Sequence, residues 1–241
     1  MKPRIIARID VKNEFVIKGI NLEGLRKIGN PIEIARKYYH AGIDEILFMD
    51  AVASLYDRNN LFGIIQQACR EIFIPITIGG GIRSIADIEM ALKSGADKVA
   101  INTQAIKNPD LIREASRIYG SQCIVASIEA KQKGNRWEAY VDNGRQETGI
   151  DVIEWVQKLQ DLGAGEILLT SVDHEGMKRG FDLPLCNQVS AVTHVPLIVC
   201  GGAGNISHFE SLCAGAKIDG IAVASAIHYN ILTVPDIKAA L

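Results

Sequence analysis

Two carboxylates follow two apolar stretches of similar sequence. Residues 4–12 form a short run rich in β-branched residues that carries Asp10 near its end, and residues 124–131 repeat the pattern with Glu129. Runs of this kind predict buried β-strands. A single acid at a strand end often only caps a loop or pairs with a neighbouring cation. Two related acids in different surroundings can divide acid and base work, so we predict general acid–base catalysis by Asp10 and Glu129.

The two halves of the chain repeat one order of strands and helices. The matching positions stand 119 to 122 residues apart and include Asp10 with Glu129, Glu45 with Glu166, Gly81 with Gly202, and Thr103 with Ser225. Four strand–helix units in each half make eight, and a closed ring of eight parallel strands leaves no open sheet edge. We therefore predict an α/β fold, a single (β/α)8 TIM barrel over residues 1–241, with half-barrels at about 1–120 and 121–241.

Glycine-rich turns follow one predicted strand in each half, at residues 79–81 and 201–204. Bare backbone N–H groups at the start of a helix bind anions, although a tight turn alone also favours glycine. The next predicted strands end at Asn102–Thr103 and at Ala224–Ser225, which add hydroxyl and N–H groups to the same two places. We predict two anion sites half a barrel apart, which suits a long substrate with a phosphate at each end.

Four charged residues stand where predicted strands begin, at the end of the barrel opposite the two acids. They alternate in sign around the predicted ring: Arg4, Glu45, Lys98 and Glu166. One interpretation is a structural layer of salt bridges that closes the floor of the barrel. The other is a gate that passes a small neutral molecule upward through the barrel. The sequence favours neither.

Composition restricts the class of protein. The 241 residues are 48% hydrophobic with a formal net charge of -2, so no overall charge attracts nucleic acid or an acidic membrane. The N-terminus lacks the pattern of a secretory signal, and no apolar run approaches the ~20 residues of a membrane helix. The five cysteines are scattered and predict reduced thiols. We expect a cytoplasmic protein with no cofactor and no metal site.

Several runs together resemble the cyclase subunit of imidazole glycerol phosphate synthase, a family of histidine biosynthesis, across essentially the whole chain. They are residues 4–6, 10–12, 18–19, 30–33, 79–83, 95–103, 120–122, 163–171 and 201–204. A related isomerase of the same pathway shares the two-half barrel. The run at 163–171 and the charged floor are more similar to the cyclase, so the isomerase is the weaker alternative.

The resemblance implies a lyase/cyclase that converts a bisphosphorylated phosphoribosyl aminoimidazole precursor. Ammonia would come from a glutaminase subunit docked as a heterodimer at the N-terminal face of the barrel and would pass through the barrel. The family's catalytic positions are matched by Asp10 and Glu129, and its ammonia gate by the four floor residues. The implied substrate- and phosphate-binding residues are Lys18, Asp50, Gly80, Gly81, Asn102, Thr103, Ser171, Gly176, Gly202 and Ser225.

The chain departs from the family pattern at five positions. Glutamate replaces aspartate at Glu129 and Glu175, and the others are Met177, Val52 and Arg8. Strand alternation places Arg8 on the same face as Asp10, inside the barrel, where a guanidinium must find an acid. We hypothesise that Arg8 pairs with Glu129 or Asp50 and changes the polarity of the route.

These departures keep two alternatives open. One is a divergent paralogue that channels ammonia to a different acceptor, for example in amidino-sugar synthesis for a surface polysaccharide. The other is an ammonia-conducting partner protein with little chemistry of its own.

Overall fold

The computed structural model describes residues 2–51 and 61–241, so Val52 lies outside the described residues. The strands in these residues are β1 Arg4–Lys12, β2 Phe15–Ile20, β3 Glu23–Gly29, β4 Glu45–Asp50, β5 Ile76–Gly79, β6 Lys98–Ile101, β7 Ile124–Lys133, β8 Arg136–Val141, β9 Gln146–Asp151, β10 Glu166–Ser171, β11 Leu197–Cys200 and β12 Gly220–Val223. Eight of them are parallel and close into a ring in the order β1, β4, β5, β6, β7, β10, β11, β12, and back to β1. The other four form two hairpins, β2–β3 and β8–β9.

Helices connect the barrel strands and cover the outside of the ring. In the described part of the chain they are α1 Pro31–His40, α2 Leu61–Ala68, α3 Ile85–Lys93, α4 Thr103–Lys107, α5 Asp110–Tyr119, α6 Val152–Asp161, α7 Leu183–Val192, α8 Ile206–Gly215, α9 Ser225–His228 and α10 Val234–Ala239. The predicted (β/α)8 barrel is thus confirmed. The division into half-barrels at 1–120 and 121–241 remains a prediction.

Helix starts follow the local sequence. The Asn30 side chain accepts hydrogen bonds from the N–H groups of Ile32 and Glu33, and Pro31 occupies the first helical position of α1. Proline is suited to this position because its missing N–H would have no partner in the first turn. Asp151 caps α6 in the same way. These caps fix where each helix leaves the strand end, and therefore the loops around the barrel mouth.

Side chains along β1 alternate between two separate cores. Ile5 and Ile9 pack between the barrel and the helices, whereas Ile6 points into the bore of the barrel. The bore core also contains residues from six other strands: Leu47, Ala100, Val125, Leu168, Ile198, Cys200 and Ala222. Alternation therefore places every second residue of β1, including Arg8 and Asp10, on the inner face.

A hairpin extends each of the two strands that carry the acids. The strand β2 pairs antiparallel with the end of β1, and β8 pairs with β7 from Glu129 to Lys133. Both hairpins follow the C-terminal ends of their barrel strands and therefore stand at the mouth. In the described residues no helix is long and apolar enough to cross a membrane.

Candidate active site

Asp10 and Glu129 face one cavity at the barrel mouth. Both carboxyls line this cavity and both residues are buried. They lie on the first and fifth strands of the closed ring, four places apart in an eight-stranded barrel, and so on opposite walls. The C-terminal ends of barrel strands surround a shared basin where active sites of this fold lie. The two acids that the internal repeat relates therefore face one basin, and their catalytic role stays a prediction.

Asp10 sits between two cations. Arg8 donates from Nε to Asp10 Oδ1 over 2.8 Å, and Lys18 donates from Nζ to Asp10 Oδ2 over 3.3 Å. Burial alone would raise the pKa of Asp10, but the two cations outweigh it and lower the pKa to about 2. Lys18 also forms an ion pair with the buried Glu175. The network balances two positive charges with two negative ones, and Asp10 stays ionised.

Glu129 lies in different surroundings. Its Oε2 atom accepts a hydrogen bond of 2.8 Å from the backbone N–H of Gly144, at the turn of the β8–β9 hairpin. Burial raises the pKa of Glu129 to about 7, and the Gly144 bond and the charge of Arg8 only partly oppose this. A carboxyl with such a pKa is suited to give and take protons near neutral pH.

Arg8 does lie inside the barrel, but its acidic partner is not the one expected. The hypothesis named Glu129 or Asp50, whereas the carboxylate that Arg8 contacts among the described residues is that of Asp10. Arg8 and Asp10 are two residues apart on one strand and share a face, so the Arg8 side chain lies beside the Asp10 carboxylate. Arg8 Nη1 then continues across the bore to Thr170 Oγ1, 3.1 Å away.

The first predicted anion site opens into the same cavity as the acids. Its lining includes Asp50, Gly80, Gly81, Asn102 and Thr103. Gly80 and Gly81 have φ angles of 86° and 74°, a backbone region that favours glycine. A Cβ on Gly80 would also stand 2.3 Å from the carbonyl oxygen of Asp50. The turn therefore requires glycine for its geometry whether or not it binds an anion.

The second predicted anion site lies elsewhere at the mouth, because Ser171, Gly176, Gly202 and Ser225 do not line that cavity. Gly176 packs on the β2–β3 hairpin and Gly202 on the backbone of Gly180, so a Cβ on Gly202 would come within 2.0 Å of the Gly180 oxygen. The Ser225 hydroxyl is buried and has no hydrogen-bond partner among the described residues. Such a group is costly unless a ligand or water satisfies it.

The floor ring has the predicted geometry. Arg4 contacts Glu45 and donates to Glu166 over 3.1 Å. Lys98 lies 3.3 Å from Glu45 and 3.0 Å from Glu166, so each cation bridges both acids. The four residues begin β1, β4, β6 and β10. The alternating ring is therefore present, and its role as a gate stays a prediction.

Two tethers at the mouth were missed at the sequence level. Trp137 Nε1 donates to Asp182 Oδ2 over 2.9 Å and ties the β8–β9 hairpin to the loop before α7. The Ser171 hydroxyl donates to the same oxygen over 3.3 Å. A buried tryptophan requires a partner for its N–H group, but that partner lies 45 residues away.

The described residues contain no group of three or more His, Cys, Asp or Glu placed to hold a metal ion.

Comparison with known proteins gives concordant matches. The model of the histidine biosynthesis protein family matches residues 4–233. A curated protein of Legionella pneumophila, imidazole glycerol phosphate synthase subunit HisF, is 56% identical over 208 residues, which cover 86% of this chain and 98% of that protein. The subunit of the same name from Streptococcus mutans serotype c is 44% identical over 242 residues, covering 100% of this chain and 96% of that protein.

Proposed function

The chain belongs to the histidine biosynthesis protein family, and we propose that it is the cyclase subunit of an imidazole glycerol phosphate synthase with Asp10 and Glu129 as its catalytic carboxyls. It is a lyase-type enzyme of histidine biosynthesis. One observation carries the assignment of the site. The two carboxyls face one cavity from opposite strands, and their pKa values are driven apart to about 2 and about 7.

The two carboxyls then have different tasks. Addition of ammonia to carbon leaves a surplus proton on nitrogen, and expulsion of a nitrogen leaving group requires a proton. Glu129 takes the first and gives the second, because its pKa of about 7 makes both directions accessible at neutral pH. Asp10 remains a carboxylate that accepts hydrogen bonds and stabilises positive charge as it develops on the substrate.

The substrate is a bisphosphorylated phosphoribosyl aminoimidazole precursor that spans the mouth. One phosphate lies against the turn at Gly80–Gly81 and the polar groups of Asn102 and Thr103, which share the cavity of the acids. The other lies at Gly176, Gly202 and Ser225. The unpartnered Ser225 hydroxyl supports this assignment, since a phosphate oxygen would accept its proton.

We infer that the subunit works in a complex with a glutaminase subunit, because its relatives are named as subunits of a synthase and the resemblance to the cyclase family implies a glutaminase partner. We place the docking surface at the floor, where the ring of Arg4, Glu45, Lys98 and Glu166 closes the lower end of the bore. Ammonia, which is small and neutral, enters there when the ring opens. The alternative of a paralogue serving a different acceptor has no support in the names of the relatives.

An assay with ammonium salt and the bisphosphorylated precursor tests the proposal without a glutaminase. The wild-type chain is expected to turn the precursor over, and Asp10→Asn and Glu129→Gln are each expected to lower kcat about 100-fold or more. Glu114→Gln, on the exposed face of α5, makes the same chemical change away from the site and serves as the control. Full activity in both site variants, with both folded by circular dichroism, would overturn the assignment.

A second outcome of this assay would identify a protein that only conducts ammonia and has no cyclase activity. In that case the wild-type chain would stimulate a co-purified glutaminase but leave the precursor unchanged at any ammonium concentration.

A further inference from the structure

The bore of the barrel changes character at Arg8. Above the floor ring, the inward residues form the apolar bore core that includes Ile6, Leu47 and Leu168. Two residues further along β1, a step of about 7 Å in a strand, the inward side chain is Arg8. Arg8 is only 3% exposed although it lines the cavity at the barrel mouth. A bulky cation therefore stands between the apolar bore and the two catalytic carboxyls.

The Arg8 side chain bridges strands that are not neighbours. It starts on β1, donates to Thr170 on β10 over 3.1 Å, and lies 3.5 Å from the Sγ atom of Cys200 on β11. The strand β10 stands three places from β1 around the ring, with β11 and β12 between them. The guanidinium thus reaches across the lumen instead of lying along one wall.

The contacts of Arg8 also hold it in place. Its Nε atom donates to Asp10, whose other oxygen accepts from Lys18, and Lys18 pairs with Glu175. All four residues are buried, and their charges cancel as two pairs. Withdrawal of the guanidinium would leave a buried carboxylate short of its partner, which is strongly unfavourable.

From this geometry we infer that Arg8 obstructs the bore and restricts the passage of ammonia from the floor to the mouth. The inference rests on the proposed function, since it concerns the route of the nitrogen donor. Its consequence is that ammonia from solvent, which enters at the mouth, reaches Asp10 and Glu129 more readily than ammonia made at the floor. Arg8 therefore weakens the coupling between glutamine hydrolysis and synthesis.

The test compares two turnover numbers of the complex reconstituted with the glutaminase subunit of the same organism. One is driven by saturating glutamine and the other by saturating ammonium salt. The glutamine-driven turnover number is divided by the ammonium-driven one, and this ratio removes any change that a variant makes to the chemistry itself. Arg8→Ala is expected to raise this ratio several-fold. Arg8→Met, which retains most of the bulk, is expected to raise it less. The control is Ile198→Val, which removes one methylene from the bore core and should leave the ratio unchanged.

An unchanged ratio in Arg8→Ala, with both rates altered in parallel, would show that Arg8 acts only as a counter-ion of Asp10 and would overturn the inference. Arg8→Gln provides a second variant if Arg8→Ala fails to fold.

A second measurement does not depend on activity. Cys200 lies beside Arg8 on the wall of the bore and is 3% exposed. Methyl methanethiosulfonate labelling, followed at the Cys200 peptide by mass spectrometry, is expected to be several-fold faster in Arg8→Ala than in Arg8→Met, because both variants lack the charge that lowers the pKa of the Cys200 thiol and only Arg8→Ala opens the bore. Equal labelling of Cys200 in these two variants would show that the bulk at residue 8 does not restrict access along the bore and would overturn the inference. If the precursor is never turned over but the labelling differs, the proposed function fails while the obstruction stands.

Discussion

Replacing Glu129 with glutamine should remove a defined part of the pH dependence of stability. In the folded protein burial raises the pKa of Glu129 from 4.5 to about 7, so the folded state keeps a proton that the unfolded state releases. The folded state then binds more protons in this interval, and the free energy of unfolding falls as pH rises. For these two pKa values the loss between pH 5 and pH 8 is about 2–3 kcal/mol.

Glu129→Gln removes this titration while its amide oxygen can still accept from the Gly144 N–H group. Urea denaturation at pH 5, 6.5 and 8 measures the free energy of unfolding of both proteins. Between pH 5 and pH 8 we expect the free energy of unfolding of the variant to rise by about 2–3 kcal/mol relative to the wild type. The contributions of Asp10 and other groups cancel in the difference because both proteins contain them.

The same variant isolates the catalytic titration. The wild-type profile of kcat against pH should show a limb near pH 7 that is absent from the residual activity of Glu129→Gln. Glu114→Gln should match the wild type in both experiments. If the difference in unfolding free energy between wild type and Glu129→Gln were flat from pH 5 to pH 8, the raised pKa and the acid–base role built on it would both be refuted.

Three further outcomes are expected at and around the mouth. Asp10→Asn leaves Arg8 with a neutral partner and should lower the free energy of unfolding, measured in urea at pH 7, by about 3–5 kcal/mol. In the wild type, the stability that ionised Asp10 contributes should be lost only as the pH falls from 3.8 towards 2. Gly202→Ala forces a Cβ to within 2.0 Å of a backbone oxygen at a φ of 110°, and thermal denaturation should show a loss above about 1 kcal/mol together with a higher KM. Trp137→Phe removes the bond to Asp182 and should cost about 1 kcal/mol in urea and speed proteolysis within the β8–β9 hairpin, whereas unchanged cleavage would argue against the tether.

The sequence predicted the parts of the molecule that depend on local pattern. Strand alternation placed Arg8 and Asp10 inside the barrel, and the repeat paired Asp10 with Glu129 on corresponding strands. Each of these follows from residues close in the chain or from the internal repeat. The floor ring was also recovered, because each of its members begins a strand.

The sequence could not predict ion pairs between residues that only the folded structure brings together. Lys18 and Glu175 are separated by 157 residues, and no periodicity links them. Several acids lie near the bore, and the sequence does not show that Asp10, two residues away on the same strand, accepts the hydrogen bond of Arg8. The division of the pKa values between Asp10 and Glu129 was unpredictable for the same reason, since it depends on those partners.

The bond from the Gly144 amide to Glu129 gives the β8–β9 hairpin influence over acid strength. Because this amide stabilises the charged form of the carboxyl, a shift of the turn by a fraction of an ångström would weaken the bond and raise the pKa of Glu129. Replacements in a surface loop can therefore retune the working pH of the enzyme while every group that touches the reacting atoms stays the same. Adaptation to a more acidic or alkaline interior would then begin in the turn at residues 142–145.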